Sequence, residues 1–79
     1  MRELLLYTRP GCTLCDDLLV RAEPVVRRHG AMIRKVNIDN DPELRRRYGW
    51  DIPVLEVDGR EICRHQLDAA ALEQALVAE

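Results

Sequence analysis

The sequence has no phenylalanine, one Trp and two Tyr, so its core has to be aliphatic, drawn from Leu, Ile, Val and Ala. It also lacks any apolar run approaching the ~18 residues of a membrane-spanning helix. Met1-Arg2-Glu3 is followed by only three leucines, too short for the apolar region of a signal peptide. The expectation is a cytoplasmic protein with no membrane partner. Neither charge sign dominates: the formal net charge is −2, which removes the electrostatic case for nucleic acid. The basic runs Arg27-Arg28-His29 and Arg45-Arg46-Arg47 stand among Asp and Glu and read as solvated helix faces. Three cysteines, an odd number, in a reducing compartment argue against a framework of structural disulfides.

What is present suffices for one domain spanning residues 1–79, with a monomer as the default state. Apolar residues make up 47% of the 79, enough for a small core, and 33% are charged, which suits a solvated surface.

The chain is organised around Tyr7-Thr8-Arg9-Pro10-Gly11-Cys12-Thr13-Leu14-Cys15-Asp16. A short apolar strand ends in a Pro-Gly loop, two cysteines follow at Cys-x-x-Cys spacing, and a helical pattern begins with them. The first N–H groups of a helix have no intrahelical partner, and its dipole adds partial positive charge at that end. A thiolate placed there is stabilised, and the three-residue step lets the second sulfur reach the first. Cys12 is the expected nucleophile and Cys15, one turn inside, the resolving thiol. The competing reading is two core thiols that happen to lie three apart. Asp16 and Asp17 would raise thiol pKa values if turned toward the sulfurs, and otherwise only favour the helix start.

Glu3 to Tyr7 reads as a central strand. A helix is expected from Thr13, with Leu14, Leu18, Ala22, Val25 and Val26 near helical period, a Thr13/Asp16 capping pair, a kink or break at Pro24 and a stop at Gly30. Ala31 to Ile38 reads as a second, parallel strand, with Met32, Val36 and Ile38 on one side and Arg34 opposite. Asp39-Asn40-Asp41-Pro42-Glu43 signals a short helix, Pro42 to about Tyr48, ended by Gly49. Val54 to Val57 and Arg60 to Cys63 form a hairpin about Asp58-Gly59. The last helix runs from Leu67 or Asp68 to Ala78, burying Ala71, Leu72, Ala75 and Leu76. The order is β-α-β-α-β-β-α, an α/β class.

This order, Cys-x-x-Cys after the first strand and Asp51-Ile52-Pro53-Val54-Leu55 at the third resemble the thioredoxin superfamily. The similarity is greatest to glutaredoxins, especially the small bacterial glutaredoxin-like proteins, and it covers essentially the whole chain. Gly11 stands where thioredoxins carry Trp, and Arg9 where glutaredoxins usually carry Lys. The resemblance implies a thioredoxin-like, glutaredoxin-type fold: a four-stranded mixed sheet with the first and last helices on one side and the short helix on the other. It implies dithiol–disulfide oxidoreductase activity on protein disulfides or glutathione-type small thiols. No bound cofactor is implied; glutathione is a candidate co-substrate, and a reductase of unknown identity is the partner. It further implies a cis Ile52–Pro53 bond facing the cysteines, with the Ile52 backbone able to pair with an extended substrate. The base rate instead favours an ordinary trans proline beginning an edge strand.

Arg9 is read as holding a substrate carboxylate or supporting the thiolate, against an isolated exposed arginine. Trp50 is expected to cap the small core rather than to act as a substrate platform. Where glutaredoxins carry Gly-Gly at the end of the fourth strand this chain has Cys63 and Arg64, and its nearest acid, Asp68, is displaced by about one position. Arg64 is therefore a candidate cationic contact for substrate. A rival reading joins Cys12, Cys15, Cys63 and His65 in a zinc site, or bridges two chains through an iron–sulfur cluster, against Cys63 as a plain core thiol.

Overall fold

A computed structural model describes residues 2–77. Strand β1 (Glu3–Thr8) leads into helix α1 (Thr13–Arg28), strand β2 (Met32–Asn37), a 3₁₀ turn at Ile38–Asn40 and helix α2 (Pro42–Tyr48). Strands β3 (Val54–Val57) and β4 (Arg60–Arg64) and helix α3 (Ala69–Val77) complete the chain. The sheet order is β2-β1-β3-β4, with β1 and β2 parallel and the other pairs antiparallel. This is the mixed α/β sheet of the thioredoxin-like class.

Two-residue alternation sorts the sheet into two faces. Leu4 and Leu6 on β1 sit beside Leu55 and Val57 on β3. They pack with Leu18, Ala22, Val25 and Val26 of α1 and Leu72 and Leu76 of α3. Each such aliphatic side chain contributes ~1.5–3 kcal/mol by leaving water. The opposite face is smaller: Tyr7 and Val54 meet Ile38 and Tyr48. The two tyrosine rings stack with centroids 4.6 Å apart. The first and last helices thus share one side and the short helix takes the other.

The local signals act as chemistry dictates. The Asp41 carboxylate accepts the Glu43 N–H at 2.9 Å and starts α2 with Pro42 in its first turn. Asp58 and Gly59 both have positive φ, 52° and 80°, as a two-residue hairpin turn of primed type requires.

Several expectations are corrected. Of the kink or break expected at Pro24, the break does not occur: helix α1 continues through it to Arg28. The proline removes only the N–H that would have bonded the Val20 carbonyl, and both residues lie on the exposed face of the helix, where losing one ladder bond costs least. Arg34 does not oppose Met32 and Val36; residues two apart share a face, and the Leu5↔Arg34 and Tyr7↔Val36 pairs place it with them. Met32 is exposed and Ile33 is the residue of β2 that packs against the larger core. Ile38 leaves the strand for the 3₁₀ turn. Helix α3 starts at Ala69, with the Asp68 carboxylate accepting the Ala71 N–H at 3.0 Å. Its expected end at Ala78 lies outside the described residues. Trp50 caps no core: it is 96% exposed.

Candidate active site

Strand β1 delivers the chain to a loop, Arg9 to Gly11, that turns into α1. Gly11 has φ +80°, with nothing within 4 Å of a Cβ built there. The glycine is needed for the left-handed backbone and not for space. The turn makes Cys12, not Thr13, the N-cap of α1. Its sulfur accepts the Cys15 N–H at 3.1 Å, the bond a Ser or Asp cap ordinarily accepts, and its carbonyl takes the Asp16 N–H at 3.1 Å. A search for Ser, Thr, Asp and Asn passes over a sulfur cap and selects Thr13 instead.

The two sulfurs are at disulfide-bonding distance, with Cα atoms 5.2 Å apart. Their environments differ. Cys15 is 2% exposed and faces the core from inside the first turn, whereas Cys12 is partly exposed at the helix tip. A thiolate at Cys12 gains from two sources. The helix terminus contributes ~0.3–1 kcal/mol, and a hydrogen bond from N–H to a charged acceptor ~1.5–3 kcal/mol. Both favour the charged sulfur, so they act to hold the Cys12 thiol below its ordinary acidity range. The Asp16 carboxylate in the same turn opposes this, but it is exposed and screened.

The antiparallel register brings other predicted residues to the same end of the sheet. Tyr7 pairs with Val54, and Val54 with Arg64, so the loop after β1, the start of β3 and the end of β4 converge. The Ile52–Pro53 peptide bond is cis and Pro53 is buried. The Pro53 carbonyl accepts the His65 N–H at 2.8 Å, and the Ile52 N–H donates to the Tyr48 carbonyl at 3.2 Å. Arg64 reaches back to Asp51 at 3.0 Å and also bonds Glu61. That contact holds the Glu61 carboxyl below its usual range, and Arg64 itself is driven further into its protonated form. His65, in a left-handed conformation at φ 69°, has its ring 3.5 Å from Asp51.

Arg9 points across the loop: its guanidinium pairs with Asp39 at 3.1 Å and donates to the Gly49 carbonyl at 3.5 Å. It also lines a pocket of about 360 Å³ with Pro10, Gly11, Cys15, Lys35 and Asn37. Lys35 and Asn37 were not singled out from sequence. The signal was the parallel register, which sets Lys35 beside Leu6 and Asn37 beside Thr8. A second cleft of about 220 Å³ lies between Leu14, Asp17 and Arg21 of α1 and the His65–Leu67 segment.

Cys63 packs against the larger core, and burial pushes its thiol pKa up. Among the described residues no group of three or more His, Cys, Asp or Glu side chains is arranged to hold a metal ion. The donor set Cys12, Cys15, Cys63 and His65 is therefore not assembled. Among the described residues no helix is long and apolar enough to cross a membrane.

Residues 3–77 match the family model described as "Glutaredoxin-like domain (DUF836)". A solution structure of a Nitrosomonas europaea protein superposes with a TM-score of 0.84 at 29% identity, covering 94% of this chain and 89% of that one. An X-ray structure of a protein from X. campestris is 40% identical, with a TM-score of 0.72 and coverage of 96% and 97%. A malarial protein at 20% identity, with a TM-score of 0.61, shares the fold. Together with the cysteine pair at bonding distance, these similarities support a thiol redox role.

Proposed function

The chain belongs to the glutaredoxin-like domain family, and from that premise we propose that it is a dithiol–disulfide oxidoreductase acting through Cys12 and Cys15. The reduced Cys12 thiolate attacks one sulfur of a partner disulfide. A bond forms between Cys12 and that sulfur, and the other partner sulfur leaves as a thiolate that takes up a proton. Cys15 then loses its proton and attacks the Cys12 sulfur, which closes the intramolecular disulfide and releases the second partner thiol. Two electrons pass to the partner, and the oxidised pair awaits an external thiol reductant. The observation that carries this reading is the asymmetry of the pair: Cys12 is partly exposed and capped by an N–H at 3.1 Å, and Cys15 is 2% exposed behind it.

Protein disulfides and glutathione-type small thiols are the proposed substrates, with a separate reductase in the cytoplasm closing the cycle around a monomeric chain. The Ile52 N–H is already engaged by Tyr48, so an extended substrate segment would meet this loop through the Ile52 carbonyl. Arg64, exposed at the same end, is the proposed contact for a substrate carboxylate; Arg9 serves the pocket at the cysteine loop.

The test is a trapping experiment. Cys15→Ser, incubated with glutathione disulfide, should accumulate one glutathione adduct on Cys12, and Cys12→Ser should accumulate none on Cys15. If wild type forms no reversible disulfide in a glutathione redox buffer and Cys15→Ser forms no adduct, the oxidoreductase reading fails.

A further inference from the structure

A cleft of about 410 Å³ opens beside the cysteine loop, lined by Arg9, Pro42, Arg45, Arg46, Gly49 and Trp50. It carries two features that the core does not explain. Trp50 presents its ring to solvent at 96% exposure, although an indole is costly to leave in water. Three guanidinium groups line a chain whose net charge is −2, and no carboxylate is among the lining residues.

We infer that this cleft docks an acidic segment of the protein whose disulfide is exchanged at Cys12, an inference that rests on the redox reading above. The nearest acids only partly offset the cations. Asp39 lies 3.1 Å from Arg9 and 4.0 Å from Arg45, and Glu43 pairs with Arg46. The Arg45 and Arg46 side chains are 60% and 72% exposed. Ion pairs of that kind hold weakly and exchange readily for a partner's carboxylate. Arg and Trp are the side chains that most often carry binding energy at protein interfaces.

Position gives the second argument. Arg9 forms a wall of both this cleft and the pocket at Gly11 and Cys15. Trp50 lies two residues before Ile52, where a substrate strand is proposed to pair. A segment leaving the cysteine pocket past Arg9 would enter this cleft. The open shape and donors drawn from side chains suit an extended peptide better than an enclosed nucleotide, whose phosphates are usually gripped by backbone N–H groups.

Trp50 is the only tryptophan in the chain, so its fluorescence reports the cleft directly. Wild-type protein is titrated with a cysteine-free Glu/Asp/Leu peptide, with its Lys counterpart and with ADP. The acidic peptide should shift the emission to the blue and bind about tenfold or more tightly than the Lys peptide, with the preference collapsing at high salt. Arg45→Glu with Arg46→Glu should abolish the preference. In turnover, the ratio of kcat/KM for mixed-disulfide peptides with acidic and with Lys flanks should fall in that variant from about tenfold to about one. Equal responses to both peptides, or saturation by ADP alone, would overturn the inference. Absence of all turnover by wild type would instead remove the redox reading, and the fluorescence titration would still decide whether the cleft takes acidic peptide.

Discussion

Replacing Cys12 by alanine should destabilise the reduced protein even though no disulfide is then at stake. The Cys12 sulfur is the side-chain acceptor that starts α1, taking the Cys15 N–H at 3.1 Å. Alanine returns that donor to water, and losing a side-chain cap typically costs about 1 kcal/mol, within a range of about 0.5–2. Little packing is lost with it, because Cys12 is partly exposed at the helix tip. For a domain of this size 1 kcal/mol moves Tm by about 4–8 °C. Serine supplies an equivalent acceptor and should restore Tm. Aspartate supplies the acceptor and a charge, worth a further ~0.3 kcal/mol at the low end of the dipole range, because Asp16 already occupies the same turn. The aspartate's pKa would be depressed in the folded state. Its extra stability is therefore present above the unfolded value of about 3.9 and is lost as pH falls through the folded value. Thermal unfolding by circular dichroism in dithiothreitol should rank Asp at or above Ser, Ser level with reduced wild type, and Ala lowest. If alanine melts with serine and reduced wild type, no first-turn donor awaits an acceptor at position 12. The electrostatic argument for a reactive thiolate would then lose its basis.

Other substitutions probe the surrounding structure. Gly11→Ala meets no atom within 4 Å, yet must hold φ near +80°, at a cost of ~1–2 kcal/mol. Gly11→Asn, which tolerates that region, should cost less, and equal melting of both variants with wild type would refute the backbone argument. Tyr7 donates to Glu56 at 2.9 Å, and burial, then Glu56, pushes its pKa up to about 12. The folded state thus holds the phenol proton more tightly than the unfolded state, whose value is about 10. That stability is complete below pH ~10 and is lost as pH rises toward ~12. Denaturant midpoints measured across that window should fall in wild type and fall less in Tyr7→Phe; parallel curves would contradict the assignment.

Most of the fold was legible because each element carries its own local punctuation. Asp41-Pro42 begins α2, Asp58-Gly59 turns the hairpin, and Gly30, at φ +67°, follows the end of α1. The cysteine pair was legible for the same reason, since strand, turn and helix start are adjacent in sequence. What could not be read locally depends on contacts between distant segments. Arg9 finds Asp39 thirty residues away, and Lys35 reaches the cysteine pocket only through the register of β2 on β1. The Asp51, Arg64 and His65 cluster needs β3 and β4 to be paired first. Trp50 shows the limit most clearly. Composition favours burying a lone Trp in a small aliphatic protein, but the exit of the chain from α2 at Gly49 turns it outward.

The most direct test of the whole account is the acidity of Cys12. Reduced Cys63→Ser protein is alkylated with iodoacetamide across a range of pH, and labelling at Cys12 is followed by mass spectrometry. Helix-terminus and N–H stabilisation predict a midpoint below the ordinary thiol value of about 8.5. A midpoint at or above about 8.5 would contradict the claim that the first turn of α1 activates this sulfur.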